Sequence, residues 1–320
     1  MINILLTNYC NRNCSYCFAR AQVEVGARSP KWDMSIEELD TILSYLKPGQ
    51  DVVSLLGGEP ALHSHFKDIV RYVFSRGYEF KVFTNATIPQ LRQALSDIPK
   101  DGNKIIVNLN PPVTYTKNEL VEIEANCRAL GEKINLSFNI YTGKFSWDFL
   151  RDAIEEWNLG RMIRIGIAQP IQSVTNVFLR EEEMSITSRR IVSMVEDLVK
   201  DGIAVGFDCG FQLCMFSEEE RGILAECGTE FQFECRPVLD IGKDLVVWRC
   251  FPLSTFEGVK LKDFNSISEL RQYFEREWSE EQSRGNKPEC RDCIYLKNGT
   301  CKGGCLSRTL SMLQGEKING

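Results

Sequence analysis

Six short apolar runs rich in β-branched residues constrain this chain most. They are Ile2–Thr7, Val52–Leu56, Phe80–Phe83, Ile105–Leu109, Ile134–Tyr141 and Met162–Ile167, and helical periodicity fills the stretches between them. Ser35 and Glu38 form a capping box ahead of Leu39, Ile42, Leu43 and Leu46, with Pro48-Gly49 as the stop. Phe66, Ile69, Val70, Val73 and Phe74 make the next stripe, and weaker ones lie at Leu91–Leu95, Leu120–Leu130 and Trp147–Trp157. Ile191, Met194, Val195 and Leu198 make another that ends at Gly202. Strands separated by helices cannot pair as hairpins, so the sheet they form is parallel. With right-handed crossovers the simplest arrangement is α/β: a partial (β/α)6 TIM-like barrel whose reactive groups gather at the C-terminal strand ends.

Residues just past the end of each strand then face the mouth of the barrel. Cys10, Cys14 and Cys17 come after the first strand, Gly57, Gly58, Glu59 and Pro60 after the second, and Thr84 and Asn85 after the third. Asn108 and Asn110 close the fourth, and Ser137 and Asn139 lie in the fifth. The spacing C-x3-C-x2-C supplies three thiolates from one loop, which suits three corners of a four-iron cluster with one iron left open. An open metal position can take a small molecule. Zinc, or a cluster completed by a fourth cysteine, competes with that reading. Glycines permit close backbone approach, and Glu59 can accept a charge-assisted hydrogen bond from an ammonium group.

Thirteen cysteines, an odd number, without a secretion signal argue for reduced, metal-holding thiols in the cytoplasm rather than a disulfide framework. A net charge of −6 gives no footprint for nucleic acid, and no apolar run approaches the length of a membrane span. Nine cysteines fall between Cys209 and Cys305, where helical periodicity fades. The expected division is a barrel over residues 1–206 and a small irregular cysteine-rich domain over 207–320, with 306–320 a short polar tail.

Cys10, Cys14 and Cys17 after the first strand, with Gly57 to Pro60 after the second, resemble the radical S-adenosylmethionine (SAM) superfamily. The resemblance implies a [4Fe–4S] cluster whose open iron chelates the methionine moiety of SAM. Reductive cleavage then releases a 5′-deoxyadenosyl radical that abstracts a substrate hydrogen. Tyr16 matches an aromatic position near adenine, and the glycine motif matches the one that binds the methionine amino group. Asn85, Asn108, Ser137 and Asn139 sit where family members contact ribose or carboxylate.

The late cysteines resemble the SPASM domain, which holds auxiliary [4Fe–4S] clusters. Cys235 and Cys250, with Gly242 between, look like its first hairpin. Cys290, Cys293, Cys301 and Cys305 look like its closing run, two residues longer in the middle and lacking the later cysteine. One or two auxiliary clusters are implied. The partition expected is Cys209, Cys214, Cys235 and Cys250 against Cys290, Cys293, Cys301 and Cys305, with exchange of Cys305 into the first group equally open. A zinc module also fits. Cys127 lies on the stripe Leu120, Ile123, Leu130 and reads as a core thiol. Cys227 is a candidate hydrogen-atom donor, a spare ligand or neither. His63 and His65 read as packing residues, and confined to one segment they offer no base for a serine or cysteine nucleophile.

These features converge on a radical SAM oxidoreductase that abstracts hydrogen from a peptide, giving a crosslink, oxidation or epimerisation like a maturase of ribosomally made peptides. The first strand starts at Ile2, so a leader-binding function is expected to reside in a separate protein or to be unnecessary, with flavodoxin or ferredoxin as reductant. The alternatives are a radical dehydrogenase or mutase on a sugar, amino acid or nucleoside, and a non-catalytic iron–sulfur or zinc protein.

Overall fold

The computed structural model describes residues 2–25, 32–229 and 233–319. Six strands fall where the apolar runs predict them: β1 (Ile2–Leu5), β2 (Val52–Leu56), β3 (Glu79–Thr84), β4 (Lys104–Asn108), β5 (Ile134–Ile140) and β6 (Met162–Ile167). They pair in parallel in sequence order, the partial TIM-like α/β arrangement expected. A seventh parallel strand, β7 (Ala204–Phe207), pairs with β6, so the change in sequence character near residues 203–207 falls within a strand.

The opposite edge is extended as well. β8 (Asp240–Ile241) pairs in parallel with β1, and β9 (Val246–Trp248) and β10 (Val259–Lys260) continue the sheet antiparallel. The cysteine-rich region is thereby joined to the barrel through a single ten-stranded sheet.

Burial alternates cleanly along β3, while β2 and β4 are buried over three or more consecutive residues because both faces of the sheet are covered. Phe80 and Val82 of β3, and Ile163 and Ile165 of β6, are buried in the main core with the helix stripes. Lys81, Phe83 and Arg164 project to the other face. There Leu5, Leu56, Ala19 and Phe251 form a separate small core against Cys17, Phe83 and Trp248. The Ser35 capping box forms with both arms, at 3.1 and 2.9 Å.

Residues 306–320 are not a polar tail. A helix, Leu306–Asn319, begins there, and Leu306, Ser307 and Thr309 are fully buried. Gln172 donates to the Ser307 carbonyl at 2.6 Å, and Arg308 donates to the Leu179 carbonyl at 2.7 Å. The buried face is largely polar and satisfied by the loop after β6, so hydropathy does not reveal it. Helices Glu218–Glu226 and Ile267–Glu277 likewise persist beyond the barrel. Among the described residues no helix is long and apolar enough to cross a membrane.

Candidate functional site

The first strand leads directly into the cysteine loop, and the second strand's end is stapled to it. The Gly58 amide donates to the Thr7 carbonyl and the Glu59 amide to the Tyr9 carbonyl, both at 2.9 Å. The glycines serve this contact. A Cβ on Gly58 would stand 2.2 Å from the Tyr9 carbonyl oxygen and 2.7 Å from the Cys10 nitrogen. Only a residue without a side chain lets the two loops lie so close.

Glu59 is 1% exposed and already bonded through both oxygens. It accepts from the Ala61 amide at 3.2 Å, the Thr84 hydroxyl at 2.7 Å and the Asn85 amide at 2.8 Å. Burial raises its carboxyl to about 7 despite those donors. Glu59 therefore ties the ends of β2 and β3 together, a structural duty that the motif alone did not reveal.

The asparagines form a connected strip rather than isolated contacts. Asn139 donates to the Asn108 side-chain carbonyl at 2.7 Å, Asn108 donates to the Tyr16 hydroxyl at 2.9 Å, and that hydroxyl donates to Asn110. The Tyr16 ring stacks on Tyr141, with centroids 4.7 Å apart. Asn85 donates to Asn11 at 3.0 Å and accepts from the Thr87 hydroxyl at 2.6 Å. Ser137 pairs in register with Asn108 and is buried. Beyond the strip, the Arg12 guanidinium lies 4.1 Å from the Tyr115 ring centroid and pairs with Glu119 at 2.6 Å. Neither Asn11 nor Arg12 stands out in the sequence except as filler between the cysteines.

Burial pushes the Cys10 thiol up to about 12 and the Cys17 thiol up to about 11. Such thiols stay protonated until a metal displaces their protons. Cys14 and Cys17 lie within electrostatic reach of Cys10, as three ligands of one cluster require. Among the described residues no three His, Cys, Asp or Glu side chains meet closely enough to hold a single metal ion.

The late cysteines sort differently from the partition that spacing suggests. Cys305 hydrogen-bonds Cys235, and Cys209 and Cys250 lie near both. Cys214 instead lies beside Cys290 and Cys301. The Cys293 amide bonds the Cys290 carbonyl at 3.2 Å, keeping Cys293 with that second set. Sequence spacing put Cys214 with the first group because it comes soon after Cys209. Cys214 sits inside the short 3-10 turn Leu213–Met215, whereas Cys209 precedes it, and the two side chains meet different neighbours.

Arg249 is 4% exposed and reaches into the first set. It donates to the Cys235 sulfur at 3.4 Å and to the Cys235 carbonyl at 2.6 Å, and forms no ion pair with an acidic residue among those described. A buried guanidinium without a carboxylate is costly unless its neighbours carry negative charge. Four thiolates around a metal centre would supply it, so the residues present fit such a group.

Residues 4–111 match the family model described as the Radical SAM superfamily. This chain carries a radical SAM domain. The domain holds the cysteine loop, the glycine motif and the Asn85–Asn110 strip, and it implies SAM and a [4Fe–4S] cluster. An S-adenosylmethionine-dependent nucleotide dehydratase from Selenomonas ruminantium is 33% identical over 87 residues, 27% of this chain and 30% of that protein. An uncharacterised protein from Archaeoglobus fulgidus is 32% identical over 115 residues, 36% of this chain and 26% of that one. The match thus spans less than a third of either relative. Streptococcus suis SuiB bound to S-adenosylmethionine shares the fold with a TM-score of 0.66 at 17% identity, over 95% of this chain and 72% of that one. SuiB bound to its precursor peptide SuiA superposes with a TM-score of 0.60 at 15% identity, over 85% and 64%.

Two other cysteines lie apart from these groups. Cys127 is fully buried in the main core on helix Lys117–Leu130. Cys227 caps the C-terminus of helix Glu218–Glu226, with Glu196, Glu226 and Lys200 as charged neighbours. Glu196 and Lys200 lie in the last two turns of the helix Met184–Lys200 that leads into the start of β7. His63 contacts the Met34 carbonyl at 2.9 Å and accepts from the His65 amide at 3.0 Å, a packing role.

Proposed function

We propose that this radical SAM enzyme abstracts hydrogen from a peptide and installs a crosslink, an oxidation or an epimerised centre. The observation that carries the reading is the pair of cysteine sets beyond the barrel, Cys209, Cys235, Cys250 and Cys305 beside Cys214, Cys290, Cys293 and Cys301. Both are joined to the radical SAM domain by one sheet. The likeness of fold to SuiB, solved with a precursor peptide, supports the same substrate class. The domains proposed are 1–206 and 207–320, with the helix Leu306–Asn319 packed back on the first.

Cys10, Cys14 and Cys17 would hold the cluster that binds SAM and supplies the electron for its cleavage. The chain's own residues do the positioning. Gly57 and Gly58 bring the second strand end against the cysteine loop, and Glu59 braces it. Tyr16 and Asn108 present a flat ring and amide edge suited to a nucleoside, with Asn85, Ser137 and Asn139 alongside. Cys209, Cys235, Cys250 and Cys305 would hold one auxiliary cluster, and Cys214, Cys290, Cys293 and Cys301 the other. A flavodoxin or ferredoxin would deliver the electron.

The second reading is a radical enzyme acting on a nucleotide, favoured by the identity to the nucleotide dehydratase across 87 residues. Incubating reduced holoenzyme and SAM with candidate peptides or with nucleotides separates them. Peptide-dependent 5′-deoxyadenosine release with a changed peptide mass supports the first. Stimulation by nucleotides alone overturns it.

A further inference from the structure

We propose that Arg249 raises the reduction potential of the auxiliary cluster at Cys209, Cys235, Cys250 and Cys305, making it a better electron acceptor than it would be without that guanidinium. The proposal rests on the cluster reading above. A positive charge beside a cluster favours the added electron, and a hydrogen bond to a ligating sulfur acts in the same direction.

Arg249 provides both at once. Its guanidinium is buried, donates to the Cys235 sulfur at 3.4 Å and is held by the Cys235 carbonyl at 2.6 Å and the Gln282 side chain at 3.3 Å. Its Nε has no hydrogen-bond partner. No acidic side chain forms an ion pair with it among the described residues, and Asp208 is paired with Arg164 instead. The N-terminal loop holds guanidinium groups of its own. Arg12, beside Cys14, is paired with Glu119 at 2.6 Å, whereas Arg20 donates to the Cys14 carbonyl at 3.0 Å and to Asn13 at 2.6 Å, and its buried Nε has no hydrogen-bond partner. The fold thus places a dry guanidinium, without an ion-pair partner among the described residues, against a sulfur of the late cysteines.

The test uses the full chain with Cys10, Cys14 and Cys17 replaced by Ala, so that any iron belongs to the auxiliary sites. After anaerobic reconstitution, iron is counted and the reduced-to-oxidised ratio is read by EPR at fixed potentials. Arg249→Gln should lower that ratio about tenfold for one auxiliary signal, equivalent to about 59 mV for one electron. Arg249→Lys keeps the charge but cannot reach both the sulfur and the carbonyl, and should lower the ratio roughly two- to fivefold. Iron equal to the parent's with an unchanged ratio in Arg249→Gln overturns the proposal. If Arg249→Gln fails to assemble, an unchanged ratio in Arg249→Lys overturns it equally. A parent that takes up no iron refutes the cluster reading itself, and the proposal with it.

Discussion

Replacing Gly58 by Ala tests whether close packing of two loops, rather than ligand contact alone, requires the glycine motif. The new Cβ would stand 2.2 Å from the Tyr9 carbonyl oxygen and 2.3 Å from its carbon, both backbone atoms that cannot swing aside. Relief needs the loops to part by roughly 1.2 Å, the shortfall from ordinary contact. That movement stretches the Gly58–Thr7 and Glu59–Tyr9 hydrogen bonds from 2.9 Å past any useful length. Two lost bonds at about 1 kcal/mol each and overpacking of about 1–3 kcal/mol give a cost of roughly 3–5 kcal/mol. Urea denaturation of the apo chain measures this directly, and iron content after reconstitution reports the effect on Cys10. Gly222→Ala is the control, because its Cβ meets nothing within 4 Å inside a helix. It should be stabilising by about 0.5–1 kcal/mol. Wild-type stability and full iron in Gly58→Ala would refute the packing argument.

Asp240 is buried between β1 and the Cys250 segment, and burial raises its carboxyl to about 7. Because the folded state holds that proton more tightly than the unfolded one, its contribution to stability is full below about pH 4 and lost as pH rises through 7. Asp240→Asn should therefore flatten the fall in urea midpoint between about pH 5 and pH 8, and an unchanged slope would contradict this. Cys127→Ala should cost about 1 kcal/mol from the core and leave iron unchanged, as measured by denaturation and metal analysis. Cys227→Ala should leave both iron and 5′-deoxyadenosine formation unchanged; loss of either would restore a role to that thiol.

The strands and the mouth were legible because parallel barrel strands are buried on the helix-facing side and read as apolar runs. Six were found within a residue or two of their ends. β7 escaped because Ala204, Val205, Gly206 and Phe207 are too few, and too mixed in burial, to show a period. β8 to β10 are two or three residues each and belong to the sheet only because β8 pairs with β1, β9 with β8 and β10 with β9. The helix after Cys305 hid behind a buried face of Ser307, Arg308 and Thr309, of which Ser307 and Arg308 bond the loop after β6, contacts that are tertiary. The same limit applies to the site. Spacing located Cys10, Cys14, Cys17 and Gly57 to Pro60, but it could not show that Glu59 braces Thr84 and Asn85. Nor could it show that Cys214 and Cys305 stand in opposite sets, because the contacts of Cys305 with Cys235 and of Cys214 with Cys290 and Cys301 are tertiary.

Three thiols and a glycine motif should together support SAM cleavage, and product analysis tests this most directly. Holoenzyme reconstituted anaerobically with iron and sulfide is given dithionite and SAM, and 5′-deoxyadenosine is quantified beside a Cys14→Ala variant. Formation of 5′-deoxyadenosine by the parent and none by Cys14→Ala is the expected result. No 5′-deoxyadenosine from a parent that holds its full iron, with or without candidate substrates, would contradict it.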